Sequence, residues 1–221
     1  MRKVRQHVKV PIESHYRGGY RKDLDIMHDK TFERLCLDAE AAGQYWHFAL
    51  PCKSFSRLSI NLNGGTRTND KPWGSGELGR EILGNKLLER TVLLIQILIR
   101  HGSYWSLENP RTSLVFCMPT IIDIQTRSDT HVIHFDQCMY GLNFDDSLAH
   151  ERCQKPTRII TNLSTLKQLE QSCDHSHVHI HAVGGFRGPT GWTKRSTAAA
   201  AYPDALCERW AGLAASKEDR A

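Results

Sequence analysis

Two hydrophobic rhythms alternate along the chain. In residues 31–42 the apolar positions Phe32, Leu35, Cys36, Ala39 and Ala42 recur at intervals of three and four, the spacing of one helix face, and Gly43 supplies a stop. Residues 45–50, Tyr-Trp-His-Phe-Ala-Leu, make an aromatic-rich run of strand length that ends at Pro51-Cys52. A polar, glycine-rich loop follows over 59–76. Residues 78–101 return to helical spacing, with Ile82, Leu83, Leu87, Val92, Leu93 and Ile97 among the apolar positions and Gly102 as terminator. Further strands are predicted at 103–107, 130–135, 157–161 and 178–182, and further helices at 164–172 and 197–215.

Strands alternating with helices predict an α/β fold with a largely parallel sheet and helices on both faces. In such sheets ligands bind beyond the carboxyl ends of the strands. Cys52 and Glu108 each fall just after a predicted strand, which is the first reason to connect them.

Composition adds limits. With 40% hydrophobic and 24% charged residues the chain is of ordinary globular type, and one domain over residues 23–215 is expected between a basic arm, 1–22, and a polar tail, 216–221. The longest apolar stretch, 92–99, is interrupted by Gln96 and falls far short of the roughly 20 residues that cross a bilayer. No apolar signal core opens the chain, so a soluble intracellular protein with no membrane partner is expected. A formal charge of +5 suits an anionic partner such as nucleic acid, and equally suits proteins that never meet one. Seven cysteines at irregular spacing do not form a disulfide framework and are read as free thiols, available for reaction or metal binding.

Pro51-Cys52-Lys53-Ser54-Phe55-Ser56 is the most informative hexapeptide. A thiol near pKa ~8.5 is only a few per cent thiolate at neutral pH, and a nearby cation such as Lys53 would raise that fraction. Taken alone, Cys52 reads equally as a small core residue closing a buried strand. Glu108-Asn109 changes the balance, because a carboxyl group in a closed pocket stays protonated and can donate a hydrogen bond to a ring nitrogen. Alone, Glu108 reads as a surface charge or a cap.

These residues resemble the cytosine-C5 methyltransferase family. That family has Pro-Cys followed closely by Phe-Ser, then a loop with an arginine, a helix, and a strand ending in Glu-Asn-Val. This chain has Pro51-Cys52 and Phe55-Ser56, then Arg67, the 78–101 helix, and Glu108-Asn109-Pro110, in which Pro110 replaces the valine. Tyr140-Gly141 followed by Lys155-Pro156-Thr157-Arg158 is similar in order to a later arginine motif, although the Gln-x-Arg-x-Arg pattern is not reproduced.

The resemblance implies a Rossmann-like sheet that binds S-adenosylmethionine and transfers its methyl group to a cytosine in DNA or RNA. It implies Cys52 as the nucleophile at C6, Glu108 as the partner at N3, and Arg158 as the group that binds the pyrimidine carbonyl and orients Cys52. Ser54, Phe55, Ser56 and Arg67 are implied as substrate contacts. Asp23, Asp25, Pro51 and Asn109 are implied as cofactor contacts, Asp23-Leu24-Asp25-Ile26 resembling the segment that meets the adenine. The same Asp23–Ile26 segment also reads as a cap before a helix at Thr31. A target base hidden in a duplex must be flipped out or offered on a single strand.

No glycine-rich turn of the family's type precedes Cys52, and Arg17-Gly18-Gly19 reads as a loop. The sheet is therefore expected to lack its first strand-helix unit. Little chain separates Arg158 from the last helix, so sequence-specific DNA recognition by this chain alone is not expected.

Three other readings stay open. Cys173, His175, His177, His179 and His181 alternate along one stretch and would share one strand face; with Cys138 or Cys153, such a face would suit zinc, with Cys173, His177 and His179 as ligands. It equally reads as a polar face. A nucleic-acid-binding relative without catalysis would rely on the basic arm for phosphate contacts. A cysteine hydrolase would need one of the twelve histidines as base, and no motif ties one to Cys52.

Overall fold

The computed structural model describes residues 25–188 and 191–216. The basic arm at 1–22, Asp23 and most of the expected tail lie outside the described residues. The elements are α1 (Asp29–Ala39), β1 (Tyr45–Ala49), α2 (Arg57–Asn63), α3 (Gly79–Arg100), β2 (Tyr104–Pro110), α4 (Pro119–Gln125), β3 (His131–Asp136), β4 (Glu151–Cys153), β5 (Pro156–Thr161), β6 (Val178–Ile180), β7 (Gly185–Gly188), β8 (Gly191–Lys194), α5 (Arg195–Ala198) and α6 (Asp204–Ala215).

The main sheet is four-stranded in the order β1-β2-β5-β3. It is mixed, where a largely parallel sheet was expected: β1 and β2 run parallel, while β5 enters antiparallel between β2 and β3. The carboxyl ends of β1, β2 and β3 consequently share one rim with the start of β5. Two small sheets, β4 with β6 and β7 with β8, complete the strands.

Alternation along each strand sorts the side chains onto two cores. Trp46, Phe48, Trp105, Leu107 and Ile160 face α1, α3 and α4. Tyr45, Ile133, Phe135 and Ile159 face α6 and a 3-10 turn at Ser164–Leu169. Helices do cover both faces. The central β2 is buried along its whole interior, and Trp105 is fully enclosed.

Several boundaries moved for identifiable reasons. Residues 164–172 form a 3-10 turn instead of a helix. The predicted 197–215 helix divides into α5 and α6, because Pro203 cannot donate to a continuing helix and restricts Tyr202 before it. The inward stripe of α3 is Gly84, Leu88, Thr91, Val92, Ile95 and Leu98, whereas Ile82, Leu83 and Leu93 are exposed. Most consequentially, β2 continues through Glu108 and Asn109, which pair with Ile159 and Arg158 of β5, so Glu108 stands within the strand and not beyond it.

Among the described residues no helix is long and apolar enough to cross a membrane. Truncating Trp105 to alanine removes the largest enclosed side chain of β2 and is expected to cost about 3–5 kcal/mol of unfolding free energy. Leu62→Ala, at a position 74% exposed, is expected to stay within about 0.5 kcal/mol. Urea unfolding of both variants checks the contrast.

Candidate active site

Cys52 opens a 3-10 turn, Cys52–Ser54, immediately after β1. The amides of Phe55 and Ser56 both donate to its carbonyl, at 2.9 and 2.7 Å, which winds the chain tightly around it. Two anchors fix this turn to the rest of the rim. The Asn109 amide Nδ2 donates to the Leu50 carbonyl at 2.8 Å, and the Leu114 N–H donates to the Phe55 carbonyl at 3.0 Å.

Beneath the turn lies Arg67, 3% exposed. Its guanidinium stacks over the Phe55 ring at 4.2 Å and donates to Ser54 Oγ, at 2.9 Å from Nη2, and to the Glu81 carbonyl at 2.9 Å. Gly84 of α3 makes this approach possible: a Cβ there would come within 2.7 Å of Ser54 Oγ and 3.2 Å of Arg67 Nη2. Ser54, Phe55 and Arg67, expected to face a substrate, are instead the buried scaffold of the turn that carries Cys52. Only Ser56 of that set keeps partial exposure, at the head of α2.

Glu108 faces the α6 side of the sheet and is 5% exposed. Its Oε2 accepts from the Tyr202 hydroxyl at 2.7 Å, while Oε1 has no partner. Behind Tyr202 runs a chain of short contacts: His47 Nε2 lies 3.2 Å from the Tyr202 hydroxyl, His47 Nδ1 2.8 Å from Ser106 Oγ, Ser106 Oγ 2.6 Å from the Tyr45 hydroxyl, and Trp210 Nε1 donates to that hydroxyl at 2.6 Å. The indole can only donate. At the other end Tyr202 donates to Glu108, so for a neutral His47 its Nε2–H donates to Tyr202, Nδ1 accepts from Ser106, and Ser106 accepts from Tyr45.

Electrostatics agree with that assignment. Solvent reaches part of the His47 ring, yet the ring sits deep among protein atoms, and burial pushes its pKa down to about 4. Burial likewise pushes Tyr45 up to about 12. For Glu108 burial raises the carboxyl pKa, outweighing the opposing Lys155 charge and the Tyr202 hydrogen bond. The result is a carboxyl group with raised proton affinity at the end of a polarised hydroxyl chain.

Cys52 and Glu108 lie on the same rim of the sheet. Ala49, three residues before Cys52, is the register partner of Glu108. The Glu108 charge raises the Cys52 thiol pKa, and Lys155 acts on both groups. The cation near the sulfur is thus Lys155 and not Lys53. Its Nζ donates to the Ala199 carbonyl at 2.9 Å and lies 5.4 Å from the Tyr202 ring centroid. Cys52 is open to solvent, but enough protein surrounds its sulfur that burial, with Glu108, holds the thiol above its ordinary 9.0 despite Lys155.

Arg158 does not join them. Its register partners are Asn109 and His134, which places it on the α3 face, opposite the Glu108 carboxyl. There it stacks over Phe116 at 4.4 Å and donates to Gln125 Oε1, with Nε unpartnered. The expected cofactor contacts fare similarly. Asn109 is fully buried and spends its amide on Leu50, and Asp25 Oδ1 accepts from Met27 N–H at 2.8 Å, fixing the turn into α1. Pro51 is exposed at the start of the turn. Two open surface clefts, one lined by Gln96, Ile99, Arg100, Asp123, Ile124 and Arg127 and the other by Ile99, Gly102, Ser103, Tyr104, Arg127, Asp129 and Asn162, do not include Cys52 or Glu108.

Comparison with protein-family models, with curated proteins and with solved structures returned no match. What the site can do therefore rests on its own chemistry. Two of its members, Tyr202 and Lys155, were not among the expected site residues. Lys155 stands three positions before Arg158 in the same motif-like segment, and Tyr202 precedes the proline that starts α6.

Folding raises the proton affinity of Glu108, so its contribution to stability is full below the ordinary carboxyl value of 4.5 and is lost as pH rises through the higher folded value. Glu108→Gln, a permanently neutral mimic, is expected to match the parent protein in acid and to gain on it progressively toward neutral pH. Urea midpoints across that range test this, and a pH-independent gap contradicts it. Alkylation of Cys52, followed by peptide mapping, is expected to show a midpoint above 9.0 that falls in Glu108→Gln and rises in Lys155→Met. Unchanged midpoints in both variants would separate the three groups.

Proposed function

We propose that this chain carries the cytosine-activating centre of a cytosine-C5 methyltransferase-like protein built on a Rossmann-like sheet. The observation that carries the reading is the shared rim: an exposed cysteine near a carboxyl whose proton affinity burial raises, with one oxygen anchored on Tyr202 and the other unpartnered. Addition of a thiolate to C6 of a pyrimidine requires a proton at N3, and a neutral carboxylic acid supplies it.

In this reading the exposed Cys52 first loses its proton to solvent, a step that the Lys155 charge favours and burial opposes. The sulfur then bonds to C6, the C5–C6 π pair shifts into the ring, and N3 takes the Glu108 proton. The carboxylate so formed is held by Tyr202 and faces Lys155. C5 becomes nucleophilic. Because Glu108 Oε1 is out of solvent's reach, a base entering here must part the residues above it. Phosphate contacts would draw on the net charge of +5.

The resemblance implies S-adenosylmethionine as methyl donor. Of the contacts it implies, Asn109 Nδ2 donates to the Leu50 carbonyl while Asn109 Oδ1 has no partner, Asp25 Oδ1 accepts from the Met27 N–H, and Asp23 lies outside the described residues. Support for the reading comes from the thiol and the carboxyl, and not from a donor pocket.

The pushed-up thiol favours a second reading, a nucleic-acid-binding relative that no longer performs the chemistry. C5 hydrogen exchange separates the two without any methyl donor, because reversible addition at C6 makes C5 exchange with water. Oligonucleotides of DNA and RNA carrying 5-deuterated cytosine, single-stranded and duplex, are expected to lose deuterium with the parent protein. Cys52→Ser is expected to abolish the loss, and Glu108→Gln to slow it by roughly 10²–10⁴-fold. Salt-sensitive binding with no exchange on any of the four substrates would instead establish the second reading.

A further inference from the structure

At the same rim, beyond β3, four potential metal ligands come together from three separate segments. Cys138 lies in the 3-10 turn after β3, Cys173 follows the bridge between Phe135 and Gln171, and His177 and His179 flank and enter β6. Their ligand atoms all lie within 4.8 Å of one another. Cys173 Sγ is 3.6 Å from His177 Nε2 and 3.3 Å from His179 Nε2, and the two imidazole nitrogens are 3.1 Å apart.

Those three separations make one triangular face, and Cys138 Sγ, within 4.8 Å of each of the three atoms, supplies a fourth vertex. Zinc held at about 2.3 Å by sulfur and about 2.05 Å by nitrogen demands edges of roughly 3.6 Å for sulfur to nitrogen and roughly 3.3 Å for nitrogen to nitrogen. The geometry points to a Cys2His2 zinc site formed by Cys138, Cys173, His177 and His179. Four protein ligands leave no open position, so the ion is structural.

The surroundings are those of a metal-binding knuckle. His175 is the one non-glycine described residue with positive φ, at 57°, and this left-handed turn aims its N–H at Cys173 Sγ, 3.3 Å away. The Cys173 N–H donates to Asp136 Oδ2 at 2.9 Å, and Arg111 pairs with the other oxygen at 3.0 Å. The His175 N–H would stabilise charge on the Cys173 sulfur, and the Asp136 contact fixes the backbone that orients it. Cys153 is excluded: it is fully buried in the small core with Leu142, Phe144 and Phe186.

The ion ties β6, and with it the β4–β6 sheet, to the end of β3. It also braces the turn beside Lys155, since Gln137 N–H donates to the Lys155 carbonyl at 3.2 Å and Gln137 Nε2 to Thr157 Oγ1 at 3.0 Å. The site does not depend on the activity proposed for Cys52.

Elemental analysis of the full chain, expressed with zinc in the medium and purified without chelator, is expected to give stoichiometric zinc. The chelated protein refilled with Co²⁺ is expected to show the intense visible bands of a tetrahedral thiolate site. Cys138→Ser and His179→Ala are expected to reduce metal retention to background, with Cys153→Ser and His181→Ala retaining it. The cobalt spectrum of the parent protein decides the matter even if a variant misfolds. A weak octahedral spectrum, background zinc in the parent, or a Cys138–Cys173 disulfide in the purified protein would each overturn the assignment.

Discussion

Burying a carboxyl group at the end of a central strand is costly, and much of the surrounding structure is arranged around it. An ionised carboxylate away from water is unfavourable, so burial raises the proton affinity of Glu108. The group stands at the terminus of a hydroxyl-imidazole-indole chain that reaches Trp210, so α6 is coupled to the sheet through polar as well as apolar contacts. The network fixes which face of β2 can host chemistry. Trp105 and Leu107 commit the other face to the larger core.

The turn that carries Cys52 is held from below. Arg67 is a buried cation without a directly paired carboxylate in its hydrogen bonds; it is satisfied by a hydroxyl, backbone carbonyls and an aromatic face. Burial lowers its pKa, and the nearby Glu81 charge compensates in part. A buried guanidinium of this kind is expensive to leave unsatisfied, so it determines where Ser54 and Phe55 can sit. Gly84 keeps α3 close enough for this to work. The turn can therefore present Cys52 at the rim while its neighbours are locked in the interior.

A third constraint acts from the opposite edge. Lys155 is the cation that reaches both Cys52 and Glu108, and its backbone is held by the turn containing Cys138. The proposed zinc site would stiffen that turn through a different set of bonds from those that hold Cys52. Electrostatics at the rim and the small β4–β6 sheet are joined in this way, although they are distant in sequence.

Hydrophobic spacing was enough to locate the strongly periodic elements: α1, β1, α3, β2, β3 and β5 lie close to where it placed them, because burial of one face requires that spacing. Unusual neighbours were enough to single out Cys52 and Glu108. Neither signal foretold the antiparallel entry of β5, which depends on long-range pairing that leaves no local signature. Nor did either reveal that Arg67, Phe55 and Asn109 turn inward while Lys155 and Tyr202 turn toward the thiol and carboxyl. A residue's type states what it can bond to, but only the packed chain decides which partner comes within reach. Cys138 lies thirty-five positions before Cys173 and was one of two candidates in sequence; tertiary folding alone brought it, and not Cys153, to the histidines.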